Sequence, residues 1–328
     1  MKRVVSGIKP SGELTIGNYL GAMKRWAEHQ HQPDYENFFF IANLHAITVK
    51  QDPGQLRKRT FDIVAWLLTV GVDPNRSVIF IQSMIPAHSE MCWILNNYVT
   101  MGELSKMTQF KDKSLKVGRD GQLAGLYDYP VLMAGDVLLY DADEIPVGVD
   151  QVQHVELSRT IAQRFNNIHG ETFKLPKPTL SKTSAKIMSL KDPGKKMSKS
   201  DADDSYIGLE DPPDSIVKKF KKAVTDSGDQ IEFKDDKPSI SNLLVIYSEF
   251  AERSIEEIQK DYEGKGYGQF KMDLGEIVAE RLGSLQKSFM QIRSDEERLN
   301  NIIKEGNSNA TIIANEKVNM LKNKLGLY

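Results

Sequence analysis

The sequence predicts an α/β chain, with a parallel sheet wrapped by helices over residues 1–204 and an all-helical unit over 205–328. Three observations carry this. Short apolar runs at Val4-Val5, residues 38–42 and residues 78–81 read as buried strands. Helical patterns separate them, and strand, helix, strand, helix, strand is the order of a parallel sheet with crossover helices. Beyond about residue 204, strand-like runs nearly vanish and capped helices take over.

Composition narrows the class. A length of 328 residues fits about two domains, and 40% hydrophobic with 27% charged residues is ordinary for a globular protein. A net charge of −2 means that any nucleic acid must be held by local patches. Cys92 is the only cysteine, which excludes a disulfide framework and a cysteine-based zinc site. The N-terminus lacks a secretion-type apolar stretch, and no apolar run is long enough to span a membrane. A cytoplasmic protein without membrane contact is expected.

Val4-Val5 opens the sheet. Residues 10–22, Pro-Ser-Gly-Glu-Leu-Thr-Ile-Gly-Asn-Tyr-Leu-Gly-Ala, read as a turn entering a helix with Leu20, Met23 and Ala27 on one face. Such a turn gathers unpaired N–H groups and the positive end of a helix dipole, which suits phosphate. Gly17 permits close backbone approach, and Asn18 offers an amide to a phosphate oxygen. The second strand, residues 38–42, ends at Asn43-Leu44-His45. Asp52-Pro53 then reads as the N-cap and first turn of a helix that buries Leu56, Ile63, Val64, Leu67 and Leu68 and stops at Gly71. Residues 78–81 form the third strand. Ligands of such sheets sit beyond the carboxyl ends of the strands, where Pro10 to Asn18 and His45 fall. His45 fits a ligand-facing residue and a satisfied structural histidine equally.

Residues 101–128 carry Lys106, Lys111, Lys113, Lys116 and Arg119 with Gly118 and Gly121. They read either as a solvated loop or as an exposed lid whose Lys111 or Lys113 reaches a triphosphate. Tyr129, Leu132, Met133, Asp136, Val137 and Tyr140 then share one apolar helical stripe. A carboxylate on that stripe is costly unless paired, and a backbone N–H, an arginine or a ligand donor would each pair Asp136. Ile145-Pro146-Val147-Gly148 reads as a short strand, followed by Val149-Asp150-Gln151 and a helix with Leu157, Ile161 and Phe165 on one face. Asp150 suits ribose hydroxyls or a helix cap.

Farther along, Asp211-Pro212-Pro213 opens a helix with Lys218, Lys219, Lys221 and Lys222 opposite Ile216, Phe220 and Val224. Those lysines form a solvated face or contacts to RNA phosphates. Ser254 with Glu257, and Ser294 with Glu297, are capping-box patterns. Between the two units lies Lys195-Lys196-Met197-Ser198-Lys199-Ser200. By itself it reads either as an exposed basic loop or as a clamp whose lysines and hydroxyls neutralise charge on a pyrophosphate leaving group.

Thr15-Ile16-Gly17-Asn18 resembles the first signature of class I aminoacyl-tRNA synthetases, and Lys196-Met197-Ser198-Lys199-Ser200 is identical to their second. Residues 10–22, 107–111 (Met-Thr-Gln-Phe-Lys), 129–133 (Tyr-Pro-Val-Leu-Met), 148–151 (Gly-Val-Asp-Gln) and 263–268 (Glu-Gly-Lys-Gly-Tyr-Gly) extend the resemblance over essentially the whole chain. Their pattern is similar to the bacterial tryptophan-specific branch.

That resemblance implies a Rossmann-like catalytic domain over 1–204, with an insertion at about 101–145 lining the tryptophan pocket and making a dimer contact. A helical anticodon-binding domain would follow over 205–328. The implied enzyme is a homodimer that activates L-tryptophan with ATP and Mg2+, then transfers it to the 3′-terminal adenosine of tRNA(Trp). By the same resemblance, Lys9, Pro10, Ser11, Gly17 and Asn18 would line the ATP site. Gly148, Val149, Asp150 and Ile187 would hold adenosine. Lys196, Met197, Ser198, Lys199 and Ser200 would grip pyrophosphate, and the catalytic set would be Lys196, Lys199, Asn18 and Lys111. Tyr129 and Gln151 would hold the ammonium group of tryptophan, Asp136 would accept the indole N–H, and Val5, His45 and Met133 would line the ring. No metal-ligating side chain is implied. The chain departs from the family at Lys9, where bacterial members often carry Gln, and at Val5 and Ala42, which are smaller than usual. It also departs at Gly135, a common Ala, and Val149, a common Glu.

Three rivals share these features. A tyrosyl-tRNA synthetase usually carries glutamine at the position of Met133. A small-molecule nucleotidyltransferase leaves the helical half and its lysines without a role. A non-enzymatic RNA-binding derivative does not need intact Lys196, Lys199 and Asp136. Hydrolase, P-loop kinase and dehydrogenase readings fail for lack of their glycine-rich or serine motifs.

Overall fold

The computed structural model describes residues 1–111, 123–179, 186–199 and 201–327. Lys113, Lys116, Gly118, Arg119, Gly121 and Ser200 lie outside the described residues. Five strands, β1 (Lys2–Ile8), β2 (Tyr35–Ile41), β3 (Ser77–Ile81), β4 (Glu144–Pro146) and β5 (Lys177–Thr179), form one sheet in the order β3-β2-β1-β4-β5. Every pairing is parallel. β4 stops at Pro146, leaving Gly148 beyond the strand. β5, a Lys-Pro-Thr stretch, carries no strand signal in the sequence and forms at the sheet edge, where proline is tolerated.

Successive side chains of β2 serve opposite faces, as the two-residue period requires. Phe39 and Ile41 join one buried cluster, Phe38 and Phe40 the other. Strand order reverses direction at β1, so the crevice beyond the carboxyl ends of β1 and β4 is the topological switch point, where open α/β sheets bind ligands.

Helix α1 begins over Ile16–Asn18, widens to a π-turn over Tyr19–Met23 and resumes over Lys24–His29. The short α2 (Asn43–Ala46) carries His45 at the end of β2. Helix α3 (Pro53–Thr69) is capped by Asp52, which accepts from Gln55 N at 2.8 Å, and it ends at Gly71 with φ +95°. Leu56 and Leu68 are half-buried rather than buried. Trp66 takes the core position and stacks on Phe289 at 4.4 Å. Helix α4 (Ala87–Leu95) and α5 (Met101–Ser105) follow. The expected exposed insertion is anchored at its start: Thr100 and Glu103 form a capping box, and Leu104 and Met107 are buried. Helices α6 (Ala124–Leu138) and α7 (Val152–His169) complete this part, with Leu157, Ile161 and Phe165 buried.

The remaining helices are α8 (Pro213–Lys221), α9 (Pro238–Ala251), α10 (Ile255–Asp261), α11 (Tyr267–Ser294) and α12 (Glu296–Leu325). The capping box of Ser254 with Glu257 forms. Ser294 does not cap α12; Asp295 does, accepting from Arg298 N at 3.0 Å, because Ser294 Oγ donates to Gln291 O instead. Lys219 is not on a solvated face: it is buried, with Nζ 3.0 Å from Asp203 and 2.9 Å from Asp211. Val224, assigned by periodicity to the buried stripe, is exposed past the end of α8.

Helix α12 runs back to the sheet. Leu299 and Ile303 enter one buried cluster, and Ala310, Ala314, Val318 and Leu321 enter the other. At the crossing, a Cβ built on Gly306 would lie 1.8 Å from Ile79 O, and Asn307 Oδ1 accepts from Ile81 N at 2.9 Å. The edge of β3 is thereby covered, which removes a row of groups that would otherwise pair with another chain.

Candidate functional site

Two segments remote in sequence meet at the end of β1. Gly12 has φ +130°, a conformation that favours glycine, and a Cβ there would lie 2.4 Å from Lys199 Nζ. The Lys199 side chain therefore lies directly on the turn of the first signature. A Cβ on Gly17 would lie 3.8 Å from Ile187 Cβ and 3.9 Å from Met197 Cβ. Ile187 and the lysine segment arrive together because they pair: Met197 N donates to Ile187 O at 2.9 Å and Ser189 N to Lys195 O at 2.8 Å. Asn242 of α9 fixes this hairpin by accepting from Met188 N at 2.8 Å and donating to Met188 O at 3.1 Å. The first turn is held from the same side, with Ile16 N donating to Ile207 O at 3.0 Å and Leu209 N to Leu14 O at 2.8 Å. Asn18 Oδ1 accepts from Thr15 N at 2.9 Å, which fixes the orientation of its amide.

The electrostatics of this junction are those of an anion site. Burial, then the nearby cations of Arg59 and Lys9, push the Lys199 amine down to about 8, against the opposing pull of Glu13. A cation held beside other cations gains when a phosphate enters. Lys196 is exposed on the β4 side, 4.0 Å from where a Gly148 Cβ would stand, whereas Lys195 turns away to Asp192 at 3.2 Å.

A polar chain leads from this junction into the sheet. Asp150 Oδ2 accepts from Gln151 Nε2 at 2.8 Å and from Gln109 Nε2 at 3.1 Å. Gln109 Oε1 accepts from Tyr129 O–H at 3.3 Å, and the Tyr129 ring meets the His45 ring edge-on at 6.2 Å. His45 Nε2 lies 2.7 Å from Asp136 Oδ2. Asp136 is 1% exposed. Its partners are neither a backbone N–H nor an arginine: Oδ1 faces Gln82 Nε2 at 2.7 Å and His88 Nδ1 at 2.6 Å. Burial pushes the carboxyl up, but His45 and His88 outweigh it and the group sits below its ordinary value. His88 Nε2 meets Tyr140 O–H at 2.8 Å. Burial, then Asp136, pushes that phenol up, so Tyr140 donates and His88 donates onward through Nδ1. A carboxylate offers about four acceptor positions, so Asp136 retains capacity for one more donor.

A family model described as class I tRNA synthetases (W and Y) matches residues 1–283. A tryptophan–tRNA ligase of Listeria monocytogenes is 49% identical over 330 residues, covering 100% of this chain and 98% of the relative. The chain belongs to the tryptophanyl-tRNA synthetases. Among solved structures, the synthetase of this family from Mycoplasma pneumoniae superposes with a TM-score of 0.93 at 37% identity, covering 100% of this chain and 98% of that one. The Campylobacter jejuni synthetase, complexed with ADP and tryptophan, superposes with a TM-score of 0.84 at 36% identity over 99% of both chains. Ligation of tryptophan to tRNA is the activity of this family, and the tyrosyl, nucleotidyltransferase and non-enzymatic readings fall away.

Within this tryptophanyl-tRNA synthetase fold, Gly17, Ile187, Met197, Lys199 and Lys9 come together at the end of β1, with Pro10, Ser11, Asn18 and Ser198 next to them in the chain, and Gly148, Asp150 and Gln151 follow directly on β4. Val149 is 76% exposed, and Lys111 is exposed where its described segment ends. Val5 is fully buried on the sheet face of Asp136, and Met133 is half-buried there. Sequence reasoning passed over Arg59, Gln82, His88, Gln109 and Asn242. His88 had a usable signal, a histidine on the buried face of α4, and Gln109 lay within the quoted 107–111 stretch without a role of its own. Two cavities, of about 490 and 600 Å³, lie elsewhere, one beside Pro74 and Asp295 and one beside Gln259 and Gly264.

Proposed function

We propose that the chain carries out tryptophan–tRNA ligation in two steps at the switch-point crevice. The observation that supports this most is Lys199 seated on the Gly12 turn, which joins the two signatures into one anion site. The tryptophan carboxylate attacks the α-phosphorus of ATP and pyrophosphate leaves. The ribose hydroxyl of the tRNA terminal adenosine then attacks the mixed anhydride and AMP leaves. No covalent enzyme intermediate is needed; catalysis comes from positioning and from stabilising charge on the leaving group.

In this reading Lys9 to Ser11, Gly17 and Asn18 line the triphosphate, and Gly148, Asp150 and Ile187 hold adenosine. Lys196, Met197, Ser198 and Lys199 grip pyrophosphate, with Lys111 and Ser200 assisting. Tyr129 and Gln151 hold the ammonium group, and Asp136 accepts the indole N–H while His45 fixes its orientation. Among the described residues no group of three or more His, Cys, Asp or Glu side chains is arranged for a metal. In this reading magnesium would arrive with ATP, as part of the substrate.

Helices α8 to α12 would bind the anticodon end of tRNA(Trp), with exposed Lys218, Lys221 and Lys222 available for phosphates. A homodimer is supported by large apolar side chains exposed along one stretch of chain, at Met84, Trp93, Met101 and Leu123. Among the described residues no helix is long and apolar enough to cross a membrane. The test is amino-acid-dependent exchange of pyrophosphate into ATP without tRNA. Exchange should be fastest with tryptophan; a preference for tyrosine or phenylalanine would overturn the assignment.

A further inference from the structure

Gln109 lies between the two ends of the site and belongs to neither. It is half-buried, and its segment is fastened to the start of α7 by a second glutamine. Gln153 Oε1 accepts from Thr108 N and from Thr108 Oγ1, each at 3.0 Å, and Gln153 Nε2 donates to Lys106 O at 3.4 Å. That clip delivers the Gln109 amide to a fixed place. There Nε2 donates to Asp150 Oδ2 at 3.1 Å and to Asp150 O at 3.4 Å, while Oε1 accepts from Tyr129 O–H at 3.3 Å.

Asp150 fixes which way round the Gln109 amide stands. A carboxylate oxygen only accepts, so the NH₂ half of the amide must face Asp150. Burial pushes the Tyr129 phenol up to about 12, so it keeps its proton; Gln109 Oε1 at 3.3 Å only accepts, and His154 Nε2, 3.1 Å from the same hydroxyl, leaves that proton to the amide when it carries its own hydrogen. Few side chains hold a donor and an acceptor on one rigid plane and so satisfy both ends at once. Asp150 is further held by Gln151, and its Oδ1 lies against Gly148, where a Cβ would be 2.7 Å away.

We propose that Gln109 is a positioning residue that couples the two substrate subsites, its amide linking the Tyr129 hydroxyl at the tryptophan end to the Asp150 carboxylate at the nucleotide end. This rests on the assignment of Asp150 to adenosine and of Tyr129 to the ammonium group. The inference goes beyond that assignment because it gives Gln109 a role in joining the two subsites. A tilt of Tyr129 on binding tryptophan moves the amide, and the amide moves Asp150.

Equilibrium binding on the full chain tests this, with tryptophan alone and a non-hydrolysable ATP analogue alone as probes. Gln109→Ala should weaken both, each by roughly three- to thirtyfold, as expected for loss of one hydrogen bond at each end. Gln109→Glu keeps the acceptor for Tyr129 and loses the donor to Asp150. It should keep tryptophan binding and lose analogue binding, a split that a general loss of folding does not produce. The decisive arm is Tyr129→Phe. With Gln109 present it should weaken the analogue as well as tryptophan, and in the Gln109→Ala background it should no longer affect the analogue. If Tyr129→Phe leaves analogue binding unchanged while Asp150→Asn weakens it, the coupling is wrong and the site assignment stands. If Asp150→Asn leaves the analogue unaffected, or Tyr129→Phe leaves tryptophan unaffected, the assignment itself falls and the coupling falls with it.

Discussion

Asp136 and His88 lie 2.6 Å apart with both side chains buried, His88 in the first turn of α4 and Asp136 in the last turn of α6. The carboxylate is thus built into the core by His88 and Gln82 and is available to a ligand only through its Oδ2 side, where His45 stands. Asp136→Ala should cost tryptophan on the order of 2–3 kcal/mol in kcat/KM. A tryptophan analogue with sulfur in place of the indole N–H should lose little. The variant should also melt earlier, because Gln82 and His88 lose their acceptor. Equal losses for both substrates would leave Asp136 a purely structural group.

Lys196→Ala should slow pyrophosphate exchange by roughly 2–4 kcal/mol of activation free energy, the range for a lost transition-state donor. Tryptophan binding measured without ATP should hold. A collapse of both would make the lysine loop a structural element.

The depressed Lys199 amine predicts a pH limb. The charged form is the one that serves phosphate, so kcat/KM for ATP should fall as pH rises through about 8. With ATP bound, the anion favours the ammonium form and the limb in kcat should lie higher. Lys9→Gln removes one of the cations that push Lys199 down, so the kcat/KM limb should move up. A limb unmoved by Lys9→Gln would assign the titration elsewhere. Stability follows the same sign check: the unfolded chain keeps the proton to about 10.5, so between about 8 and 10.5 this lysine's contribution to stability rises with pH.

Lys218, Lys221 and Lys222 should act differently from Lys219. Neutralising the exposed three should weaken tRNA charging and flatten its salt dependence while leaving amino-acid activation intact. Lys219→Ala should instead lower the melting temperature, because Asp211 is left with an unanswered charge beside the bridge from Thr15 to Gly208. Charging that is insensitive to the triple change at moderate salt would return those lysines to a solvated face.

Gly306→Ala should be strongly destabilising. The Cβ would overlap the backbone of Ile79, so α12 must lift off β3 rather than repack a side chain. Asn307→Ala should cost about 1–3 kcal/mol by leaving Ile81 N–H without a partner. Thermal unfolding checks both, and wild-type melting of Gly306→Ala would refute the close crossing.

Much of this architecture was legible because it rests on short-range rules. The runs at 38–42 and 78–81 gave strands, Asp52-Pro53 gave a helix start, and the two signatures marked segments that meet at one junction. Long-range pairings were not legible. Nothing local distinguishes Lys219 from its neighbours; Asp203 and Asp211 do, from a different segment. Ser294 and Asp295 are both good caps, and tertiary geometry chose between them. Asp136 was visible as an anomaly on its stripe, but its partners come from α2, α4 and the turn after β3, and no spacing rule links those to α6.

The crossing of α12 over β3 also orders events during synthesis. Ile81 emerges from the ribosome long before Asn307, so every nascent chain carries an unsealed strand edge until α12 is released. Contacts of such sequence separation form late and slowly. The catalytic sheet, made first, is finished last, and shortened chains that end before residue 306 would expose the strand surface from which chains assemble into aggregates.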